Sequence, residues 1–147
     1  MLIRPARKDE WLRVADVFIA ARAGMAYLPQ LHSDEETRAF IRGVVETGVV
    51  WVAEGGGCVA GFAATERTRD GAWLHHLYVH PREHNAGAGS LLLARVKMEL
   101  PEGFSLWTFQ ANLGARRFYE RHGCREIRRT AGENEENLPD ILYEWRP

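Results

Sequence analysis

Residues 76–90 read HLYVHPREHNAGAGS, and this stretch decides how the rest of the chain is interpreted. A strand predicted over 72–80 leads into it, and the apolar spacing over 91–100 predicts a helix behind it. Closely spaced glycines, Gly87 and Gly89, lie at the junction. A turn of this kind directs several backbone N–H groups to one point, at the positive end of the helix dipole. Phosphate oxygens are therefore the natural ligand, although a glycine turn that only avoids steric clashes is the alternative.

Two other phosphate-binding loops can be excluded from the same residues. The nucleoside triphosphate loop requires a lysine directly after its last glycine, and no lysine follows Gly89. The dinucleotide fingerprint requires a third glycine, and Leu92 stands at that position. The chain therefore has neither of these nucleotide sites.

Outside this stretch the sequence predicts a mixed α/β fold. An edge strand at Leu2-Ile3 is followed by a helix capped by Asp9 and by a second helix that begins at Ser33 with a capping box. The remaining strands are predicted over 49–54, 58–66, 72–80, 105–109, 124–130 and 140–145, with helices near 91–100 and 112–122. We expect one domain over 1–147, with a mixed sheet covered by helices on both faces.

Composition narrows the class of protein. The 147 residues are 46% hydrophobic and 27% charged, with a formal net charge of −1, which does not favour nucleic acid or membrane surfaces as partners. No apolar run approaches the ~20 residues that a membrane span needs. The cysteines, Cys58 and Cys124, form neither a disulfide framework nor a four-ligand metal site. We expect a cytoplasmic protein without a bound metal.

Two motifs resemble one family. Residues 84–89, HNAGAG, are similar to the Arg/Gln-x-x-Gly-x-Gly/Ala motif of the GNAT superfamily of acyl-CoA N-acyltransferases. Residues 112–123, NLGARRFYERHG, resemble its Asn-x-x-Ala-x-x-Phe-Tyr-x-x-x-Gly-Phe block. The order of elements matches along nearly the whole chain. His84 replaces the usual arginine or glutamine, and Cys124 replaces a common phenylalanine.

The resemblance implies a three-layer fold, with a mostly antiparallel sheet of about seven strands and about four helices, and acetyl-CoA as co-substrate. It implies that the backbone at Leu77, Tyr78 and Val79 contacts the pantetheine arm and the acetyl carbonyl, and that Asn112 and Tyr119 lie near the arm and the thioester sulfur. The residues implied to hold the pyrophosphate are His84, Asn85, Ala86, Gly87, Ala88, Gly89 and Ser90.

An amine acceptor needs help to lose a proton. Deprotonating an alkylamine with a pKa of ~10.4 near neutral pH costs about 4–5 kcal/mol. His75 and Glu66 are our candidates for the base, and simple packing of the histidine is the alternative. Strict alternation places His75 on the face of Trp73 and Leu77, opposite His76. Tyr119 is the candidate donor to the leaving thiolate.

The acceptor side is less specific. Tyr27 and His32 lie between the first two helices, in a segment whose mixed character resembles a small-molecule pocket. The acidic residues 133–136 and Asp140 either attract a cationic amine or form a solvated loop. We predict acetyl transfer to a small-molecule primary amine. Acetylation of a protein N-terminus or lysine and a non-catalytic acyl-CoA sensor are the alternatives, and an exposed sheet edge favours a homodimer.

Overall fold

The computed structural model describes residues 1–84 and 86–147. The strands are β1 (Leu2–Pro5), β2 (Val49–Gly55), β3 (Cys58–Thr68), β4 (Gly71–Val79), β5 (Phe104–Phe109), β6 (Arg125–Thr130) and β7 (Asp140–Trp145). The helices are α1 (Trp11–Ala23), α2 (Asp34–Thr47), α3 (Ala88–Glu99) and α4 (Leu113–Arg121). Short 3₁₀ turns precede α1, at Lys8–Glu10, and follow β4, at Pro81–Glu83.

The strands form one seven-stranded sheet in the order β1-β2-β3-β4-β5-β7-β6. Every neighbouring pair is antiparallel except β4 and β5, which are parallel. Between these two strands the only registered pair in the described residues is Trp73 with Ser105, near the start of both. Because pairing stops there, β4 and β5 diverge toward their carboxyl ends. The predicted fold class is confirmed, and this fork is the feature that positions the site.

Helices cover both faces of the sheet, with a separate core under each. On one face, α3 buries Leu92, Leu93 and Val96 against the sheet, where Leu106 and Tyr143 also lie. On the other face, α1 and α2 form a second apolar cluster of buried residues, including Val14, Phe18, Ile41, Val45 and Phe62. The sheet that contains the fork is therefore packed against helices on both of its faces.

The second helix begins as predicted, but the first does not. Ser33 Oγ accepts from the backbone N–H of Glu36 at 3.1 Å, and the Glu36 carboxylate accepts from the N–H of Ser33 at 2.9 Å. The predicted cap at Asp9 is wrong, since a 3₁₀ turn occupies Lys8–Glu10 and α1 starts at Trp11. The 3₁₀ turn lets the Glu10 carboxylate reach the guanidinium of Arg4 at 2.8 Å.

A β-bulge in β4 corrects the predicted alternation of side chains. Leu74 pairs with Thr65 and His76 pairs with Ala64, so His75 is an extra residue on this strand. The bulge shifts the phase of the strand, and Leu74 and Leu77 consequently pack in the same core cluster. The prediction that Leu77 shares a face with Trp73 and His75 is therefore wrong, whereas Trp73 and His75 do lie together, with their rings stacked. His75 and His76 nevertheless face different surroundings, as described below.

None of the helices within 1–84 and 86–147 combines the length and the apolar character needed to cross a lipid bilayer.

Candidate functional site

A cavity of about 460 Å³ opens in the fork between β4 and β5. We call it the fork cavity. Its walls include residues of β4, β5 and α4, among them Leu77, Tyr78, Trp107, Phe109, Asn112 and Tyr119. A volume of this size is within the range of small-molecule sites, ≈ 300–1,000 Å³. Two residues of the second motif, Asn112 and Tyr119, therefore meet the strand that leads into the first motif at one cavity.

The glycine loop has a backbone conformation that requires glycine. Gly87 is the N-cap of α3 and has φ 84°, in the left-handed region that favours glycine over other residues. A side chain at Gly89 would meet the ring of Phe118, since a Cβ there would lie 3.4 Å from that ring. Ala86 and Gly87 are exposed and Ala88 is buried in the first turn of α3. The Ala86 N–H donates to the Glu83 carbonyl, so the amides placed for an anionic phosphate group are those of Gly87 and the first turn of α3.

The other members of this loop are placed as follows. His84 lies with its Nε2 3.2 Å from the carbonyl oxygen of Val79, at the end of β4. Ser90 Oγ lies 3.1 Å from Nε2 of His122, at the end of α4. Asn85, predicted to bind the pyrophosphate, lies outside the described residues. His84 thus connects the loop to the strand that forms one arm of the fork.

Asn112 and Tyr119 come to the fork cavity on α4. The side chain of Asn112 caps this helix by accepting from the backbone N–H of Ala115 at 3.1 Å. Tyr119 is 7% exposed, and burial raises its pKa above the ordinary value for tyrosine, so it stays protonated at neutral pH. A neutral phenol in such a position can donate a hydrogen bond to an anion.

His75 and Glu66, the two candidate bases, form a pair. Nε2 of His75 lies 2.8 Å from Oε1 of Glu66, and the bulge brings them together across β3 and β4. His75 lines the fork cavity, whereas the Glu66 side chain is 60% exposed to solvent. The imidazole also stacks on Trp73, with the ring centroids 6.2 Å apart. The pair therefore connects the cavity with solvent.

A second and larger cavity, of about 860 Å³, lies under the connection between α1 and α2. We call it the helix cavity. His76 lines it and is surrounded by the rings of Phe18, Phe40, Phe62 and Tyr78, with centroids 5.7–6.4 Å away. Burial is the main cause that lowers the pKa of His76 to about 4, and the charges of His75 and Arg22 add to it. The imidazole is neutral at physiological pH.

Two ion pairs join the last turn of α1 and the α1–α2 connection to the loop between β6 and β7. Arg22 contacts the Glu136 carboxylate at 3.2 Å, and the same guanidinium donates to the Tyr78 hydroxyl at 3.2 Å. The second pair joins His32 and Glu135. Glu136 lines both cavities, as does Met25, so the cavities adjoin each other.

The predicted acceptor residues differ in their positions. His32 lines the helix cavity. Tyr27 packs against Phe109 with the ring centroids 6.0 Å apart, and among the described residues it is not part of either cavity wall. Its hydroxyl oxygen is buried, with no hydrogen-bond partner in the described part of the chain.

Sequence reasoning did not single out Arg22, Thr130 or Asn134, which the structure places at the cavities. Arg22 contacts a residue 114 positions away, and no local pattern indicates such a contact. Asn134 lies in the predicted polar loop, but its hydrogen bonds to Leu138 and Asp140 depend on how that loop folds. The alternation of acidic and amide residues over 133–137 was the available signal.

The thiol of Cys124 lies in an environment that does not suit a nucleophile. Cys124 is buried, and burial raises the pKa of its thiol to about 11, which disfavours a thiolate nucleophile. Within 1–84 and 86–147 there is no group of three or more His, Cys, Asp or Glu residues arranged to hold a metal ion.

Comparisons with known proteins agree with this geometry. The sequence profile described as "Acetyltransferase (GNAT) domain" matches residues 46–126, more than half of the chain. These residues include the glycine loop and also β4, β5 and α4, each of which contributes to the walls of the fork cavity. No curated protein sequence matches the chain significantly.

Solved structures share the fold at low sequence identity. A GNAT family acetyltransferase from Bacillus cereus is 16% identical with a TM-score of 0.79, covering 99% of this chain and 96% of that one. The ribosomal-protein-S18-alanine N-acetyltransferase from Escherichia coli is 20% identical with a TM-score of 0.79, covering 99% and 92%. The PaiA N-acetyltransferase from Thermoplasma acidophilum, in complex with coenzyme A, is 16% identical with a TM-score of 0.74, covering 99% and 98%.

Proposed function

The chain belongs to the GNAT acetyltransferase family and is an acetyl-CoA-dependent acyltransferase, and from that premise we propose that it acetylates the primary amine of a small molecule. The single observation that carries the proposal is the fork cavity, at which Tyr119, Asn112 and His75 meet. The adjoining helix cavity offers about 860 Å³ for the body of an acceptor. Two adjoining cavities of this size fit the volume of a small molecule.

Several residues fit acetyl-CoA as the donor. The amides of Gly87 and of the first turn of α3 would hold its pyrophosphate, and the resemblance assigns Asn85 to the same group. The diverging strands leave the backbone of Leu77, Tyr78 and Val79 without partners from β5, so that it can bind the pantetheine arm. Acetyl-CoA supplies an activated thioester carbonyl at this place.

His75 and Glu66 would carry the proton away from the amine. The acceptor arrives as an ammonium and must lose a proton before its nitrogen can attack the carbonyl carbon. In our proposal His75 takes that proton, directly or through water, with the nitrogen that does not contact Glu66. The exposed Glu66 carboxylate orients the imidazole through the contact with Nε2, and the proton then passes to solvent.

Tyr119 would act on the leaving group, the coenzyme A sulfur. As the carbon–nitrogen bond forms and the carbon–sulfur bond breaks, the coenzyme A thiolate leaves. The Tyr119 phenol donates a hydrogen bond to this sulfur and stabilises its negative charge, and the thiolate takes its proton from solvent as coenzyme A leaves. Because its pKa is raised by burial, Tyr119 is fully protonated when the reaction starts.

We further propose a cytoplasmic location and a homodimer. Cys58 and Cys124 are free thiols, which is the state expected in a reducing compartment. The edge strand β6 has exposed residues over 125–129, including Ile127 at 48% exposure, and could pair with a second copy.

Calorimetric titration with acetyl-CoA, with ATP and NAD in parallel, tests the donor site. Selective binding of acetyl-CoA is expected. The acceptor is then tested by release of free thiol with a panel of small amines and with peptides. Acetylation of peptides but of no small amine would overturn the small-molecule proposal, and failure to bind acetyl-CoA would overturn the whole assignment.

A further inference from the structure

Asp140, the first residue of β7, is a buried carboxylate in the wall of the fork cavity. It is 8% exposed. The other buried carboxylate of the described residues, Glu10, has two cationic partners: it pairs with Arg4 at 2.8 Å and with Arg7 at 3.4 Å. Asp140 has only neutral donors, and it forms no ion pair with any residue of 1–84 or 86–147. A buried charge without a cationic partner is costly unless a ligand supplies one.

Neutral hydrogen bonds hold this carboxylate in place. The Thr130 hydroxyl donates to Oδ1, and Asn134 Nδ2 donates to Oδ2 at 3.0 Å. The Asn134 amide is itself fixed by Leu138, whose N–H donates to its Oδ1 at 3.1 Å and whose carbonyl accepts from its Nδ2 at 2.7 Å. A carboxylate has about four acceptor sites, so about two remain beyond the donors present.

The charges around the fork cavity also favour a cation. Glu133 and Glu136 line it together with Asp140, against one guanidinium, that of Arg128. Arg128 lies over the ring of Trp107, 5.2 Å from its centroid, and it forms no ion pair with Asp140 in the described residues. The Arg22 guanidinium that reaches this region is paired with Glu136. The cavity therefore carries an excess of negative charge.

We propose that Asp140 binds the ammonium group of the acceptor and so selects alkylammonium compounds that have no carboxylate beside the amine. This inference rests on the proposed acetyl transfer to a small-molecule amine. Asp140 lies in the same cavity wall as Tyr119 and His75, so it would hold the nitrogen where the proton can be removed and the thioester is presented. An α-amino acid would bring its own carboxylate against Glu133, Glu136 and Asp140.

Asp140→Asn keeps the size of the side chain and removes its charge. With butylamine as the probe, we expect kcat/KM to fall by at least roughly thirtyfold, mainly through a higher KM, because a buried charged contact is lost. Propionic hydrazide is a nucleophile of similar size that is neutral near pH 7, and its kcat/KM should change less than about twofold. Norleucine, the α-carboxylated analogue, should be a poor acceptor for the unchanged protein.

The hydrazide separates binding from folding, since a structural defect would lower both activities equally. Asp70→Asn, in the exposed turn before β4, is the matched control and should change neither. Equal losses for butylamine and hydrazide, or unchanged butylamine kinetics, would overturn the role of Asp140 while leaving acetyl transfer intact.

If no amine is acetylated although acetyl-CoA binds, the proposed function fails and Asp140 is tested by binding alone. Butylamine is then titrated calorimetrically into the protein saturated with coenzyme A. Binding that is lost in Asp140→Asn supports the inference, and absent binding or equal binding in both proteins overturns it.

Discussion

The proposed donor side and the proposed acceptor side of the site are built in different ways. The donor side would use two continuous stretches, 77–90 and 112–119, and much of its proposed binding capacity lies in backbone groups. The acceptor side joins segments that are far apart in the chain. Arg22 pairs with Glu136 across 114 positions, and His32 pairs with Glu135 across 103.

This difference explains which half carries a recognisable pattern. A loop that presents amides to a phosphate needs glycines at fixed spacing, and those glycines are visible in any sequence that keeps the function. A pocket made by side chains from several loops can change its residues freely, provided that the new ones complement a new acceptor. The donor side therefore identifies the family, and the acceptor side determines the substrate.

The largest effect is expected from a change in the donor loop. Gly87→Val places a β-branched side chain at φ 84° and displaces the amides before α3. Losing two charge-assisted hydrogen bonds to phosphate would weaken acetyl-CoA binding by about 4 kcal/mol, roughly a thousandfold. Calorimetric titration measures this change.

Gly57→Val is the matched control, because Gly57 has a similar φ of 78° but lies in the turn between β2 and β3. It should lower the free energy of unfolding as Gly87→Val does, with acetyl-CoA affinity unchanged. Equal affinities for the two variants would mean that the glycine loop does not bind the phosphates.

The sequence anticipates local features more reliably than distant ones. The capping box at Ser33, the edge position of β1 and the bounds Asp140–Trp145 of β7 follow from residues close in the chain, and all are observed. The bulge at His75 was not anticipated, because it depends on how β4 registers against β3. A one-residue shift in register moves a side chain to the other face of the sheet.

The same limit applies to the candidate site. The motif at 112–123 indicated Asn112 and Tyr119, and the strand that leads into the glycine loop indicated His75; all three line the fork cavity. The packing of the Tyr27 ring on Phe109 joins residues 82 positions apart, and no local pattern indicates it. The importance of Asp140 depends on hydrogen bonds from Thr130 and Asn134, which only the folded loop reveals.

On the acceptor side, His76→Leu should alter the pH dependence of stability. The folded protein holds the pKa of His76 near 4, whereas the ordinary value is 6.5. Between these values the unfolded chain binds a proton that the folded protein does not, so stability falls as pH decreases from 6.5 to about 4. The loss attributable to this group is about 3 kcal/mol. Urea unfolding from about pH 7.5 to about pH 4 should show a shallower decline in the variant, and parallel declines would contradict the effect.

Tyr119→Phe tests whether the Tyr119 hydroxyl assists the departure of the coenzyme A thiolate. Removing the donor to the departing thiolate should lower turnover about a hundredfold, with acetyl-CoA affinity nearly unchanged. Tyr143→Phe is the matched control, because its hydroxyl donates to Glu120 at 2.6 Å and its ring lies 6.3 Å from that of Tyr119. It should reduce stability without reducing turnover. Steady-state thiol release distinguishes the two, and equal turnover in Tyr119→Phe and the parent would remove the proposed role.

The smallest effect is expected at the ion pair between Arg22 and Glu136. The two side chains are 25% and 15% exposed, so their coupling should be about 1 kcal/mol in a double-mutant cycle with Arg22→Met and Glu136→Gln. The exposed pair Arg42 and Glu46 should couple by only about 0.3–0.5 kcal/mol. Each variant at the Arg22 pair should raise the KM of the amine a few-fold and leave acetyl-CoA affinity unchanged, because the pair lies between the acceptor cavities and away from the glycine loop. A change in acetyl-CoA affinity as large as the change in amine KM would show that the donor side and the acceptor side are energetically coupled. The two sides would then depend on each other in function, although they are formed by different segments of the chain.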